Sequence, residues 1–107
     1  MSSSKDYLDY VLEQLSETDD ISYRAMMGEY IIYCRGKVVG GIYDDRFLIK
    51  PTASAKKLLP DAVAEIPYEG AKEMLLVDIV DDRERLKELI ISIADDLPLP
   101  KKKEKMK

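Results

Sequence analysis

Apolar residues recur at helical spacing near both ends of the chain, and a strand-like region lies between them. Leu8, Val11, Leu12 and Leu15 fall at i, i+3, i+4 and i+7, which predicts an amphipathic helix from about Lys5 to Leu15. Ser3 or Ser4 can cap it, and Asp6 sits near its positive end. Thr18-Asp19-Asp20 is a polar stop. Tyr7 and Tyr10 flank the stripe and are expected to cover the sheet edge. Near the other end, Leu86, Leu89, Ile90, Ile93 and Leu97 repeat in the same way, and Pro98 and Pro100 stop the helix. Asp81 followed by Glu84 predicts a capping box at its start.

Between these helices the composition changes to β-branched and aromatic residues. Ile21 to Met27 reads as a first strand, interrupted by Gly28-Glu29, and Tyr30 to Cys34 as a second. Arg35-Gly36 is a turn, and Lys37 to Tyr43 is a third strand. Its Gly40-Gly41 pair predicts a bulge, or another group lying close overhead. Asp44-Asp45 turns the chain into Arg46–Lys50. Three short connections in succession predict an antiparallel meander. After Pro51, Thr52 can cap a short helix from Ala53 to Leu59, closed by Pro60. Asp61 to Gly70 reads as irregular, and Met74 to Asp78 as a fifth strand or packed coil. Two helical stripes need one sheet face to bury against. The fold class expected is therefore α+β: a meander of about four or five strands packed with N- and C-terminal helices in a two-layer sandwich.

Composition narrows the chemistry. The 107 residues are 46% hydrophobic, enough for one core, with no internal repeat or linker to divide them. A single domain over 1–100 with a lysine-rich, disordered tail over 101–107 is expected. No apolar run approaches the ~20 residues of a membrane span, and the N-terminus lacks a secretory pattern. The only cysteine is Cys34, which suits a reducing cytoplasm and reads as a small apolar strand residue. There is no histidine. That removes Ser-His-Asp and Cys-His pairs, histidine bases and histidine metal ligands together. No phosphate-cradling glycine motif or calcium-loop spacing occurs, so no cofactor or metal is implied and a non-catalytic chain is expected. The paired acids Asp19-Asp20, Asp44-Asp45, Asp81-Asp82 and Asp95-Asp96 sit at turns or helix ends, where aspartate has local work to do.

Charge bears on partners. Residues 101–107 hold five lysines against one glutamate, a local +4, so a chain of net −4 carries −8 on residues 1–100. Such a body repels phosphate backbones, leaving the tail as the one weak route to nucleic acid. Arg24 and Lys50 interrupt or end apolar β segments. Each is expected either to pair with a carboxylate or to frame a small-anion or acidic-partner site, with Arg46 as a third member. Tyr30, Tyr33 and Tyr43 read either as core and edge packing or as an aromatic surface for a protein partner.

The segment Arg24-Ala25-Met26-Met27-Gly28, then Tyr30, the turn Gly36 and the strand end Leu48-Ile49-Lys50, resembles the TfoX/Sxy N-terminal domain. Pro67-Tyr68-Glu69-Gly70 through Val77 is similar to its short, single-domain members, and the likeness spans about residues 5–95. Met27 stands where the family has phenylalanine, and Glu29 replaces its second glycine. The resemblance implies an α+β domain acting through protein contacts, as competence regulators do when they assist a cyclic-AMP receptor protein. Those full-length regulators carry a further C-terminal domain. The binding residues expected are Arg24, Met26, Gly28, Tyr30, Tyr33 and Lys50, with a homodimer possible. Direct nucleic-acid binding through the tail, and a small anion-binding protein or enzyme using Arg24 and Lys50, are the competing expectations.

Overall fold

The structure is a computed structural model that describes residues 5–18, 20–26 and 28–97. The expected serine caps, the proline stop and the lysine tail lie outside these residues. Helix α1 (Lys5–Gln14) precedes strands β1 (Ile21–Met26), β2 (Glu29–Cys34), β3 (Lys37–Tyr43) and β4 (Arg46–Ile49). Helix α2 (Ala53–Leu58), strands β5 (Ala64–Glu65) and β6 (Met74–Leu76), and helix α3 (Arg83–Asp96) follow. The sheet has six antiparallel strands in the order β1-β2-β3-β4-β6-β5.

Two-residue turns set the meander. Arg35 and Gly36 both take positive φ (57° and 78°), as do Asp44 and Asp45 (56° and 59°). Positive φ at both central residues is the type I′ pattern, whose twist matches the flanking strands. Glu29 links two turns, because its Oε1 accepts the Asp44 N–H at 3.1 Å. The residue that departs from the resembled pattern thus has a structural task.

The helices cover one sheet face. Leu8, Val11 and Leu15 from the α1 region and Leu86, Leu89, Ile90 and Ile93 from α3 meet Ile32, Cys34, Val39, Ile42, Phe47 and Ile49 in one core. Each fully buried aliphatic or phenylalanine side chain is worth roughly 1.5–3 kcal/mol of transfer free energy. Polar contacts fix the helix ends. Gln14 Nε2 donates to Val80 O at 2.8 Å, and Arg83 pairs with Glu13 at 3.1 Å. At the other end of α3, Lys37 Nζ donates to Ala94 O at 2.8 Å, placing a cation at the negative end of the helix on a carbonyl that also accepts the Leu97 N–H. Asp96 Oδ2 accepts the Ser54 N–H at 2.8 Å, so α3 caps α2 alongside Thr52, whose Oγ1 accepts from Ala55 N at 3.2 Å.

Three expectations are refined. The N-cap of α3 is Asp82, which accepts from Arg85 N, and not Asp81. The cap falls one residue later because Asp82 holds the extended backbone that ends in the helix, so no Glu stands at the reciprocal position. The span read as irregular contains β5, two residues held by Leu76 N donating to Val63 O and by an Arg46–Glu65 ion pair. Tyr7 is half-buried beside Tyr10 and borders Val77 and Val80, so these rings cover the loop after β6.

The Gly40-Gly41 pair has both predicted features. The β2–β3 register shifts between Ile32 and Tyr33, and the space above both glycines is filled. A Cβ on Gly40 would lie 2.2 Å from Leu48 O and 2.8 Å from Ile49 Cα. Because both are backbone atoms, Gly40→Ala is expected to cost at least ~3 kcal/mol, the upper end for overpacking, read from the urea midpoint. Gly36 has open space around it, so Gly36→Ala should cost only the ~1–2 kcal/mol of a left-handed alanine.

Hydrogen bonds from Ser54 hold the Asp96 carboxyl below its ordinary value. A depressed carboxyl contributes stability above its unfolded pKa that is lost as pH falls through the folded value. Acid titration below about pH 4 should therefore unfold Asp96→Asn with a shallower dependence on pH than the parent chain.

Candidate functional site

Side chains alternate across a strand, so the helix-packed core defines the opposite face. Cross-strand pairing puts Ser22, Arg24 and Met26 of β1 beside Tyr33, Ile31 and Glu29 of β2 on that face. Val38, opposite Tyr33, and Gly41 and Tyr43 continue it on β3. Leu48 and Arg46 carry it onto β4, and Leu76 and Met74 onto β6. Among the described residues, no helix covers this face.

Half of it is roofed by the chain itself. A Cβ on Gly41 would meet the Tyr43 ring at 2.8 Å, so the missing side chain lets that ring lie down on the sheet. Tyr68 packs over Tyr43 with ring centroids 6.1 Å apart. Pro67 is buried in the same segment, and on this face Leu48 is wholly buried and Tyr43 only 8% exposed. The β1–β2 half stays open. Arg24 and Met26 are exposed, while Ile31, Tyr33 and Val38 are half-buried. Along the edge of the roof runs a groove of about 370 Å³ lined by Val38, Tyr43, Lys50, Tyr68 and Met74, among others.

The expected site residues divide between the two faces. Arg24, Met26 and Tyr33 lie on the open face, and Lys50 lines its groove. Tyr30 lies on the helix-packed face, partly buried against the core and edge-on to Tyr23 at 6.1 Å. Gly28 takes φ 86° in the β1–β2 turn, a backbone role. Tyr43, 8% exposed, serves packing. Arg46 leaves the cation group, since it pairs with Glu65 and its Nε donates to Tyr43 O at 3.1 Å. Arg24 and Lys50 stand three strand spacings apart, on the order of 14 Å. They bracket an apolar strip and do not converge on one small anion. Neither side chain has a carboxylate partner among the described residues, contrary to the ion-pair expectation. Sequence reasoning missed the groove and Tyr68's part in it. The register of strands and the path of residues 66–73 decide both, and neither has a local signature.

The profile of the TfoX N-terminal domain matches residues 13–94. The chain belongs to the TfoX N-terminal domain family. It is also similar to an uncharacterized 12.7 kDa protein in the trpE 5′ region of Spirochaeta aurantia, 33% identical over 102 residues, covering 94% of this chain and 89% of that protein. No solved structure matches. The matched TfoX segment takes in all six strands, and with them the open face.

Groups suited to proton or nucleophile chemistry are few in this TfoX domain. Burial raises the Cys34 thiol and the Tyr7 and Tyr43 phenols, moving each away from neutral pH. The described residues contain no group of three or more acids or thiols placed to hold a metal ion, and no helix among them is long and apolar enough to cross a membrane. Asp44, Asp82, Asp95 and Asp96 each occupy a turn, a cap or an ion pair. With Cys34 wholly buried, disulfide-reagent labelling should run on the order of 100-fold slower than in the urea-unfolded chain.

Proposed function

We propose that this TfoX-family domain is a non-catalytic, cytoplasmic module that regulates by binding another protein through the open sheet face. The observation carrying this reading is the strip Ile31, Tyr33 and Val38, half-exposed between Arg24 and Lys50 on a body that is otherwise acidic. Two cations with no carboxylate partner among the described residues flank apolar and aromatic surface. That suits a protein surface whose apolar centre is edged by carboxylates, because arginine and tyrosine are favoured at interface centres. An acidic body argues against direct contact with nucleic acid. Family membership supports transcription regulation, including competence, as the setting.

The test is affinity capture from the native cell with tagged protein, comparing the parent chain with Tyr33→Ala and Arg24→Glu variants whose folding is checked by circular dichroism. One specific protein partner should be recovered, falling at least ~10-fold with either substitution, as for interface residues worth ~1.4 kcal/mol or more. Equal recovery with both variants would refute the assignment of the face. Salt-dependent DNA binding lost on removal of residues 101–107 would favour the nucleic-acid reading instead.

A further inference from the structure

The end of α3 is fastened beside the groove on the open face. Lys37, next to the groove residue Val38, donates to Ala94 O at 2.8 Å. The Asp96 carboxylate accepts from Ser54 N at 2.8 Å and from the hydroxyl of Thr52, itself a groove residue. α3 packs on the covered face of the sheet, so its last turn stands at the sheet end where a chain passes from one face to the other. Leu97 holds φ −91° and ψ 147°. That is close to polyproline II, the extended backbone that a residue before proline favours. The next residues in the sequence are Pro98-Leu99-Pro100, outside the described residues.

The groove has the walls such a segment needs. Tyr43, Tyr68, Pro51 and Pro67 line it. Grooves with aromatic walls take extended, proline-rich segments, because proline rings stack on tyrosine and little backbone freedom is left to lose. Tyr68 is 63% exposed despite its contact with Tyr43, so it has apolar area still to cover. The lengths also agree. Lys50 N donates to Val39 O, and Ile49 pairs with Leu75, so Val38, Lys50 and Met74 stand on three neighbouring strands. Two strand spacings are roughly 10 Å. Three residues of polyproline II span on the order of 9 Å.

We infer that Pro98-Leu99-Pro100 turns over the end of the sheet and docks in this groove as an intramolecular strap, with Leu99 against Tyr68 and Met74. The place where α3 ends selects this occupant, since the segment starts at the mouth of the groove and needs no long linker to reach it. Lys101 to Lys103 then fall beside Glu69 and Glu73, which are exposed and have no cationic partner among the described residues. The strap shares Val38 with the half-exposed strip of the open face. Strap and partner therefore compete for one margin of that face, and release of the strap widens the surface a partner meets.

Two measurements on the full chain test this without any partner, so their outcome is independent of the proposed function. In amide NMR spectra, Leu99→Asp should shift Val38, Thr52, Tyr68 and Met74 and leave Leu8 and Leu86 of the helix side unmoved. Cysteine pairing supplies the second readout, with native Cys34 wholly buried. Leu99→Cys with Met74→Cys should oxidise at least ~10-fold faster than Leu99→Cys with Lys57→Cys, an exposed site on α2, the helix that the end of α3 also touches. The product should run as a monomer. Groove amides that ignore Leu99→Asp, equal rates for the two cysteine pairs, or a product linked between two copies overturns the inference.

Discussion

The absence of a side chain at Gly41 determines what this molecule shows to solvent. With no Cβ there, the Tyr43 ring lies against the sheet, and Tyr68 settles over it. Pro67 is buried in the segment that carries Tyr68, and Leu48 is wholly buried on a face that no helix among the described residues reaches. The roof stops at β3, so Ile31, Tyr33 and Val38 remain half-exposed. Gly40 performs the matching task toward β4, whose backbone passes where a methyl group would stand. The close approach of β3 to its neighbours and the division of the open face thus both depend on two adjacent glycines.

Much of the fold could be read from local chemistry. The stripes of α1 and α3, the Thr52 cap and the turns at Arg35-Gly36 and Asp44-Asp45 are decided by residues a few positions apart, and the structure holds them where the pattern put them. The signal of the glycine pair was also local, although what fills its space was not. Strand β5 was illegible because two residues have no periodicity, and a distant ion pair with Arg46 holds them. The cap at Asp82 was ambiguous because its neighbour is also an aspartate.

The candidate site was legible in its residue types but not in its geometry. Arg24 and Lys50 stood out as cations in apolar surroundings; Arg24 lies on the open face, and Lys50 lines its groove. Tyr30 and Tyr33 looked equivalent in sequence. Strand alternation sends Tyr33 to the open face and Tyr30 to the core side, and only knowledge of which face the helices cover separates them. The distance between Arg24 and Lys50 was likewise hidden, since it depends on two strands lying between them.

Electrostatics then separates structural cations from available ones. Arg35 is held by Asp95, Lys37 by a carbonyl at the end of α3, Arg46 by Glu65 and Arg83 by Glu13. Each fastens its own part of the chain to another element. Arg24 and Lys50 fasten nothing among the described residues, although the chain carries 21 acidic side chains that could have served them. On a surface so rich in carboxylates, a cation that no described carboxylate meets stands beside an aromatic strip. A carboxylate arriving with a second surface meets it at low desolvation cost, because both groups are already partly in water. That is the physical reason for proposing recognition on this face and not on the acidic helices behind it.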